Sequence, residues 1–275
     1  MTLPPRNGFG RWYGEKQGDT GDVWHRTLID PGLFRLLGRL PRGTRVLDIG
    51  CGNGYIARRL SRDGARVVGV DASRELIEYA REEERVHPLG IVYHLSDAAR
   101  LPIREKGVFD VAVANMSLLD IKDAEGAIRE LARVVRPGGR FVFSISHPCF
   151  DVDTDSAWSV ERRAGKPLVF RKVARYRIPH SDQYVWNLAE GRTARTTGYH
   201  RPLSWYAQVL RRHAWSILDM DEPAPLQGYQ SERVRKEWID AIPLHLVVEA
   251  RRDLVKATRL PLREARVRPG KKRVA

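Results

Sequence analysis

The stretch VLDIGCGNG, from Val46 to Gly54, decides how the rest of this 275-residue chain is interpreted. It starts as a short apolar strand and runs into Gly50, Gly52 and Gly54, and the helical pattern YIARRLSRDG follows directly. Glycine adopts positive φ readily and lets a ligand approach the backbone, and loop amides at a helix N-terminus favour polar or anionic groups. The spacing is GxGxG, which alone fits either a ligand-binding loop or an ordinary tight turn.

An acidic residue at the end of the next apolar run favours the ligand-binding loop. Asp71 closes the strand-like run RVVGVDA, 21 residues after Gly50. A carboxylate at the end of a second strand can accept hydrogen bonds from both hydroxyls of a ribose. The alternative role for Asp71 is to cap the following helix. Strand, glycines, helix, strand and acid stand in the order and at the distances of a nucleoside site, so we predict nucleoside binding.

Short apolar runs alternate with amphipathic stretches from about residue 30 to residue 150. Apolar residues three and four positions apart predict helices in SRELIEYAREEERV, which Ser73 can cap, and in EGAIRELARVV. This alternation predicts an α/β fold with a doubly wound, mostly parallel sheet. Two later runs bring the number of strands to seven. The predicted strands are RVLDIG (45–50), RVVGVDA (66–72), GIVYHLSD (90–97), FDVAVANM (109–116), GRFVFSIS (139–146), WSILDMDEP (215–223) and LHLVVEARR (244–252).

The pattern is interrupted over residues 151–200, which are rich in charge and aromatics and show no clear helix. Only RKVARYRI and QYVW resemble strands there. Such a long loop in a compact domain is usually functional, so we predict a substrate lid inserted after the fifth strand. The predicted organisation is an N-terminal helical cap (1–39), an α/β core (40–150), the lid (151–200), the rest of the core (201–252) and a basic C-terminal tail (253–275).

Composition limits the classes of function. The net charge of +14 favours contact with phosphate and keeps nucleic acid open as a partner. However, the 39 arginines and 9 lysines are spread along the whole chain. Two cysteines give no disulfide framework or four-ligand zinc site, and we expect a reducing cytoplasm. We expect neither a secretory signal nor a membrane span, because no apolar run approaches about 20 residues.

Taken together, these motifs resemble the class I S-adenosylmethionine-dependent methyltransferases. The resemblance rests on VLDIGCGNG, VVGVDAS, LSDAARLP, FDVAVANMSLLD and ELARVVRPGGRF. It extends more weakly through YHRPLSWYAQVL and DMDEPAP to HLVVEARR, and so covers nearly all of residues 40–252. It implies S-adenosyl-L-methionine as cofactor and S-adenosyl-L-homocysteine as product, and it does not specify the methyl acceptor.

The resemblance also implies which residues hold the cofactor. The loop residues Gly50, Cys51, Gly52 and Gly54 would surround its methionyl half together with Asp48. Further contacts would come from strand ends and from the N-terminal segment, whose aromatics would otherwise pack on the sheet. These contacts are Asp71 to the ribose, Ala72, Asp97 and Ala98 to the adenine, Asn115 and Met116 near the sulfonium, Tyr13 over the cofactor and Arg26 to its carboxylate.

Three residues are candidates for the catalytic side of the site. His147, in FSISHPCF after the fifth strand, would act as a general base, orient substrate or be structural. Asp120 follows the fourth strand, and His200 lies where the lid returns to the core. The alternative for His200 is a helix entry capped by Ser204. Cys149 is expected to be a small buried apolar residue, and no metal site is predicted.

The function that fits best is methyl transfer to an oxygen or nitrogen of a small-molecule acceptor by in-line displacement, with the lid excluding water. Two alternatives stay open. An RNA methyltransferase would show arginines interleaved with exposed aromatics on the lid, although the position after the fourth strand reads ANMS and not an NPPY-like motif. A non-catalytic protein that only binds the cofactor would lack an acceptor pocket.

Overall fold

The computed structural model describes residues 8–152, 155–188, 191–229 and 234–254. Its centre is a seven-stranded sheet in the order β10-β11-β5-β4-β1-β2-β3. Neighbouring strands from β1 to β5 run parallel, and β11 is antiparallel to both β5 and β10. The predicted seven-stranded, mostly parallel sheet is therefore confirmed. The strands are β1 (Arg45–Ile49), β2 (Arg66–Asp71), β3 (Val92–Leu95), β4 (Phe109–Asn115), β5 (Val135–Ser146), β10 (Trp215–Asp221) and β11 (His245–Arg252).

Helices connect the strands and cover the sheet. Ser73 caps α4 as predicted, since its Oγ accepts a hydrogen bond from the Leu76 amide. Ser204 does not cap α6, because the helix begins at Leu203 after Pro202, whose restricted φ favours a helix start. The helices are α1 (Phe9–Gln17), α2 (Asp30–Leu37), α3 (Tyr55–Arg62), α4 (Arg74–Val86), α5 (Ala124–Val134), α6 (Leu203–Arg212) and α7 (Lys236–Ala241), with a π-helical turn (His25–Ile29) leading into α2.

The sheet is buried on both faces, which explains its continuously apolar strands. Strand β5 shows this directly. Phe141 and Phe143 point to one face, where they pack with Leu131 of α5. Val142 between them points to the other face, where it packs with Leu33 of α2. Because both faces are covered, a ligand of such a sheet is expected at the edge where the parallel strands have their carboxyl ends, since side chains from several strands meet there.

The segment between β5 and α6 contains more strand than we predicted. It forms two antiparallel hairpins, β6 (Ser156–Arg163) with β7 (Lys166–Val173), and β8 (His180–Asn187) with β9 (Thr193–His200). We call them the inserted hairpins. QYVW lies in β8, but RKVARYRI leaves its strand after Val173 and turns. Both faces of these strands are mostly half-buried or exposed, so apolar residues alternate only weakly along them. The strands are therefore difficult to predict from the sequence.

No helix within the described ranges is long and apolar enough to cross a bilayer. Most of the predicted basic tail, residues 255–275, lies outside the described residues, as do residues 1–7 of the predicted N-terminal cap.

Candidate cofactor site and acceptor cavity

The three glycines of the loop after β1 all have positive φ, of +64°, +54° and +82° for Gly50, Gly52 and Gly54. A Cβ at Gly50 would lie 2.3 Å from the Cβ of Ser117, and one at Gly54 would lie 2.4 Å from the Tyr93 hydroxyl. A Cβ at Gly52 would meet nothing within 4 Å. Gly50 and Gly54 are therefore required by packing, whereas Gly52 faces open space, as expected where a ligand approaches the backbone.

Asp71 is hydrogen-bonded both to the residue that caps α4 and to the glycine loop. Its Oδ1 accepts a hydrogen bond from the Ser73 amide at 2.7 Å, at the start of α4. Its Oδ2 accepts one from the Gly52 amide at 2.9 Å, which ties β2 to the glycine loop. Burial raises the pKa of Asp71, and these amide hydrogen bonds offset part of the increase. The carboxylate thus lies against the loop, where ribose hydroxyls could donate to it.

Asp48 is a buried acid whose hydrogen bonding is incomplete. Asp48 is only 1% exposed, and its side-chain Oδ2 has no hydrogen-bond partner among the described residues. Burial, and then the charge of Asp71, raise the pKa of Asp48 to about 8. A buried acceptor without a partner is costly unless a ligand supplies a donor or a positive charge. Asp48 is therefore well placed for a cationic part of a ligand.

The end of β4 is held in a strained conformation. Met116 has φ of +49°, which is uncommon for a residue other than glycine. Its amide donates to the Ser144 hydroxyl at 2.9 Å, and that hydroxyl donates to Asn115 Oδ1 at 2.6 Å. Strained residues that neighbouring structure holds in place occur often at functional sites. Asn115 and Met116 are thus fixed at the sheet edge beside the glycine loop.

Helix α1 lies across this edge and is anchored to it at both ends. The amides of Gly8 and Gly10 donate to the Glu75 carboxylate, in the first turn of α4. The Asn53 side chain, inside the glycine loop, donates to the carbonyl oxygens of Gly14 at 2.9 Å and Gly18 at 2.7 Å. The same loop that is predicted to hold the cofactor therefore also holds the helix that covers it.

Replacing Asn53 with alanine should loosen α1 while leaving the sheet intact. The change removes one buried and one partly buried hydrogen bond to carbonyl oxygens at the end of α1, and a third from the Tyr55 amide. We therefore expect a loss of about 1–3 kcal/mol in the free energy of unfolding. Urea titration measures this loss, and hydrogen exchange should speed up over residues 9–17. Arg11→Ala, which removes only an exposed ion pair with Glu15 on the same helix, should cost less than about 0.5 kcal/mol. Unchanged exchange in Asn53→Ala would show that α1 is held by other contacts.

Tyr13 lies at the centre of the covering helix, and Arg26 does not reach the loop. Burial, and then the charges of Asp22 and Asp120, raise the pKa of the Tyr13 phenol. Its ring meets Trp186 of β8 edge-on at 5.9 Å, so α1 contacts the second inserted hairpin. Arg26 is exposed and donates to the Gly21 carbonyl at 2.5 Å. The predicted pairing of Arg26 with the cofactor would need this side chain to move.

The other predicted cofactor residues divide into those at the edge and one that points away. Asp97 and Ala98 follow β3, where Asp97 Oδ1 accepts a hydrogen bond from the Ala99 amide at 2.9 Å. Ala72 follows Asp71 at the end of β2. Cys51 is buried, and its sulfur is so close to Gly69 that a Cβ there would lie 2.9 Å from it. Only the Cys51 backbone is therefore available to a ligand.

One acid at this edge, Asp30, was not predicted from the sequence. It is the first residue of α2, and its Oδ1 accepts hydrogen bonds from the Tyr55 hydroxyl at 3.1 Å and the Asn115 amide group at 3.0 Å. Asn115 also donates to the Tyr55 hydroxyl at 2.7 Å. This triad joins α2, α3 and β4, which are distant in sequence, so no local pattern could predict it.

His147 lies beyond β5 with both ring nitrogens occupied. It is only 3% exposed. The Cys149 amide donates to Nδ1 at 3.2 Å, and Nε2 lies 2.8 Å from a Glu222 carboxylate oxygen. Since Nδ1 accepts a hydrogen bond, the ring carries its proton on Nε2 and donates it to Glu222. In this arrangement the ring orients its surroundings, and a general-base role would require these contacts to change. Cys149 itself is only half-buried, contrary to the prediction.

A small cavity separates the sheet edge from the second inserted hairpin. It includes His200, whose Nε2 donates to the Tyr176 carbonyl at 2.7 Å, and burial lowers the pKa of this histidine. Asp120 is not among the cavity residues and lies exposed on the loop after β4, close enough to influence Tyr13. The cavity is lined by Leu119, Ser146, Pro148, Asp151, Tyr184, Tyr199, His200, Arg201 and Tyr206.

Other properties of the inserted hairpins and the site bear on the alternatives. Arg171 is buried against Asp151 at 2.7 Å and packs over the Trp158 ring at 5.1 Å. The large hydrophobic side chains exposed on these hairpins are aliphatic, for example Val160 and Val185. Over the described residues of these hairpins, aromatic side chains such as Trp158 and Trp186 are half-buried and not exposed, which does not favour an RNA-binding lid. Within the described ranges, no cluster of three or more His, Cys, Asp or Glu residues could hold a metal ion.

Comparison with known proteins identifies the class. Residues 47–143 match the sequence model of a family described as a methyltransferase domain. The solved structure of an S-adenosylmethionine-dependent methyltransferase from Mesorhizobium loti is 26% identical, with a TM-score of 0.65 over 86% of this chain and 100% of that chain. Together with the sheet and its glycine loop, these matches identify a methyltransferase domain over residues 47–143 and support a class I S-adenosylmethionine-dependent methyltransferase.

Curated relatives are similar over the core alone. The chain is 35% identical over 105 residues to the ubiquinone biosynthesis O-methyltransferase of Ralstonia nicotianae, which is 38% of this chain and 44% of that protein. It is 33% identical over 102 residues to the protein of that name from Sodalis glossinidius, covering 37% and 41%. It therefore spans less than half the length of these relatives. The structure of the CcbJ methyltransferase from Streptomyces caelestis, 18% identical with a TM-score of 0.59, shares the fold.

The cofactor of this family, S-adenosylmethionine, fits the residues at the sheet edge. Its sulfonium and ammonium groups are positive, and a positive group beside the unpartnered oxygen of Asp48 would favour the ionised form of that buried acid. Its ribose has two hydroxyls, and Asp71 lies at the loop that would receive them. Gly52 leaves open the space that a close ligand needs.

Proposed function

We propose that this protein transfers a methyl group from S-adenosylmethionine to an oxygen atom of a small-molecule acceptor. The observation that carries the proposal is that one sheet edge holds both the glycine loop with Asp48 and Asp71 and, beneath the inserted hairpins, a cavity beside Ser146. The relatives named O-methyltransferases support oxygen as the acceptor atom. A nitrogen acceptor is the alternative.

In this proposal the bound cofactor supplies a methyl group already activated on a sulfonium, so the chain's own residues mainly bind, orient and exclude water. Asp71 would hold the ribose, and Asp97 with Ala98 would hold the adenine. Asn115 and Met116, fixed by Ser144, would position the reacting end. The covering helix α1 and the inserted hairpins would close over the reactants as the lid.

On the acceptor side we propose positioning roles. His147, held between Glu222 and the Cys149 amide, would orient the wall of the acceptor site. His200 lines the cavity directly, whereas Asp120 lies outside it, close enough to Tyr13 to affect the pKa of that phenol. Because Tyr184 and Tyr199 of the second inserted hairpin line the cavity, an outward movement of that hairpin would enlarge it for an acceptor.

The decisive variant is Asp71→Asn, which keeps the size of the side chain and removes its charge. We expect its affinity for S-adenosylmethionine to fall at least about 30-fold, since charge-assisted hydrogen bonds to the ribose weaken. Isothermal titration calorimetry measures the change. Asp110→Asn is the matched control, because Asp110 lies at the opposite end of β4, paired with Arg45 and Arg136. Equal affinities in all three proteins would refute the assignment of the ribose site.

The acceptor class is tested with S-adenosylmethionine carrying a tritiated methyl group, offered together with a low-molecular-mass metabolite extract or with bulk tRNA. We expect label in the small-molecule fraction, in a product whose methyl is resistant to mild acid and base as an ether is. Label in the tRNA would replace the proposal with an RNA methyltransferase. Cofactor binding without transfer to either pool would favour a non-catalytic binding protein.

A further inference from the structure

We propose that Asp30 binds the α-ammonium group of the cofactor through its Oδ2. This inference rests on the proposed function, since it takes S-adenosylmethionine as the ligand. Asp30 lies outside the glycine loop and its strands, and neither the loop motif nor the family resemblance assigns it a role. The geometry around its two carboxylate oxygens points to the cofactor's methionyl end.

The two oxygens of Asp30 have different surroundings. Oδ1 accepts hydrogen bonds from the Tyr55 hydroxyl at 3.1 Å and from the Asn115 side chain at 3.0 Å. Oδ2 is buried and has no hydrogen-bond partner among the described residues, in a residue only 2% exposed. A carboxylate whose second oxygen is buried without a hydrogen-bond donor destabilises the folded protein. A ligand that donates to Oδ2 would remove that cost.

The position of Asp30 relates it to the loop that holds the cofactor. Tyr55 directly follows Gly54, the last glycine of the loop, and begins α3. Asn115 is the last residue of β4, next to the strained Met116. Asp30 bonds to both, so it lies where the glycine loop meets the end of β4. That is the part of the edge that would receive the methionyl half. Asp71 would hold the ribose and Asp97 the adenine on the other side of the loop.

Charge complementarity supports an ammonium group as the occupant. Burial raises the pKa of Asp30, and the opposing influences of His25, Asn115, Tyr55 and Arg59 are smaller. Two neighbouring basic side chains are already engaged, His25 with the Asp22 carboxylate at 2.9 Å and Arg59 over the Phe34 ring at 3.6 Å. An incoming cation would therefore stabilise the ionised form of Asp30.

The number of charges also agrees. The cofactor has two positive centres, the sulfonium and the ammonium, and the edge has two buried acids with an unpartnered oxygen, Asp48 and Asp30. Both acids raise the pKa of Tyr55, so both are close to it. One acid beside each centre would give each buried carboxylate a positive partner.

The test compares the affinities of two proteins for three ligands, measured by isothermal titration calorimetry. The proteins are the wild type and Asp30→Asn, whose amide oxygen can still accept from Tyr55 and Asn115 while its amide nitrogen replaces Oδ2. The ligands are S-adenosylhomocysteine, its desamino analogue without the ammonium group, and 5′-methylthioadenosine, which lacks the amino-acid half. We expect Asp30→Asn to lose about tenfold or more in affinity for S-adenosylhomocysteine and less than about twofold for the other two ligands.

Several results would overturn the proposal. An equal loss for all three ligands would mean that Asp30 only supports the fold of the site, and no loss for S-adenosylhomocysteine would mean that it does not touch the ligand. If Asp30→Asn does not fold, Asp30→Ser replaces it. The wild type alone is also decisive, because affinities within about twofold for S-adenosylhomocysteine and its desamino analogue would exclude a strong ammonium site. A wild type that binds none of the three ligands would instead reject the proposed function itself.

Discussion

Gly50→Ala is expected to lose about 3–5 kcal/mol of stability, from the left-handed backbone and from overpacking together, and with it all measurable cofactor binding. Its φ is +64°, and the added Cβ would lie 2.3 Å from the Cβ of Ser117. Ser117 cannot easily move away, because its hydroxyl donates to the Ile49 carbonyl at 2.8 Å. Urea titration measures the loss, and calorimetry with S-adenosylhomocysteine measures the binding.

The neighbouring glycine provides the matched control. Gly52→Ala carries a similar backbone strain, with φ of +54°, but its Cβ would meet nothing within 4 Å. We expect a stability loss of only about 1–2 kcal/mol, with reduced cofactor affinity because the methyl group would enter the space that faces the ligand. If the Gly50→Ala protein were as stable as Gly52→Ala, the loop after β4 that carries Ser117 would have moved to make room for the added methyl group, contrary to the packing of Gly50 against Ser117.

The second large effect is a pH dependence that arises from Asp48. Its pKa is raised by burial, and then by Asp71, from 3.8 to about 8. Below about pH 4 the carboxyl is protonated in both the folded and the unfolded chain, so it does not affect stability. Between about pH 4 and pH 8 it ionises in the unfolded chain while the folded chain keeps the proton, so stability falls as pH rises. Above about pH 8 it is ionised in both states and the loss is constant.

Asp48→Asn should remove this pH dependence. We expect the wild type, without cofactor, to lose about 3–4 kcal/mol relative to this variant between pH 4 and pH 7. Urea titrations of both proteins at several pH values measure the difference, and the contributions of Asp30 and Asp151, which are common to both proteins, cancel from it. Parallel stability curves for the two proteins would mean that Asp48 is ionised at neutral pH in the folded chain.

Cofactor binding should show the opposite trend. A positive centre of the cofactor favours ionised Asp48, so wild-type affinity for S-adenosylmethionine should increase as pH rises towards about 8 and then level off. Calorimetry between pH 6 and pH 8 checks this, with Asp48→Asn as the variant whose affinity should be lower and nearly independent of pH. An acid that destabilises the empty protein would thus contribute to binding, which is common at functional sites.

Much of the fold and of the candidate cofactor edge could be predicted from the sequence, because each feature corresponds to a short local pattern of residues. A few consecutive residues are enough to recognise each apolar strand, each helical spacing and the glycine loop, and Asp71 follows at the expected distance. Strand order and the shared edge then follow from the rules for parallel sheets. The cofactor and the class of reaction came from the resemblance that these motifs carry.

Only the tertiary structure decided the features that join distant residues. Asp30 bonds to Asn115, 85 residues away, and His147 to Glu222, 75 residues away. Arg26 faces solvent, and the inserted segment forms two hairpins whose weak alternation hides them. Local sequence specifies backbone conformation and which face is buried, because those depend on neighbours three or four residues away. Which oxygen is left without a partner depends on every element packed around it, and that is settled only when the chain has folded.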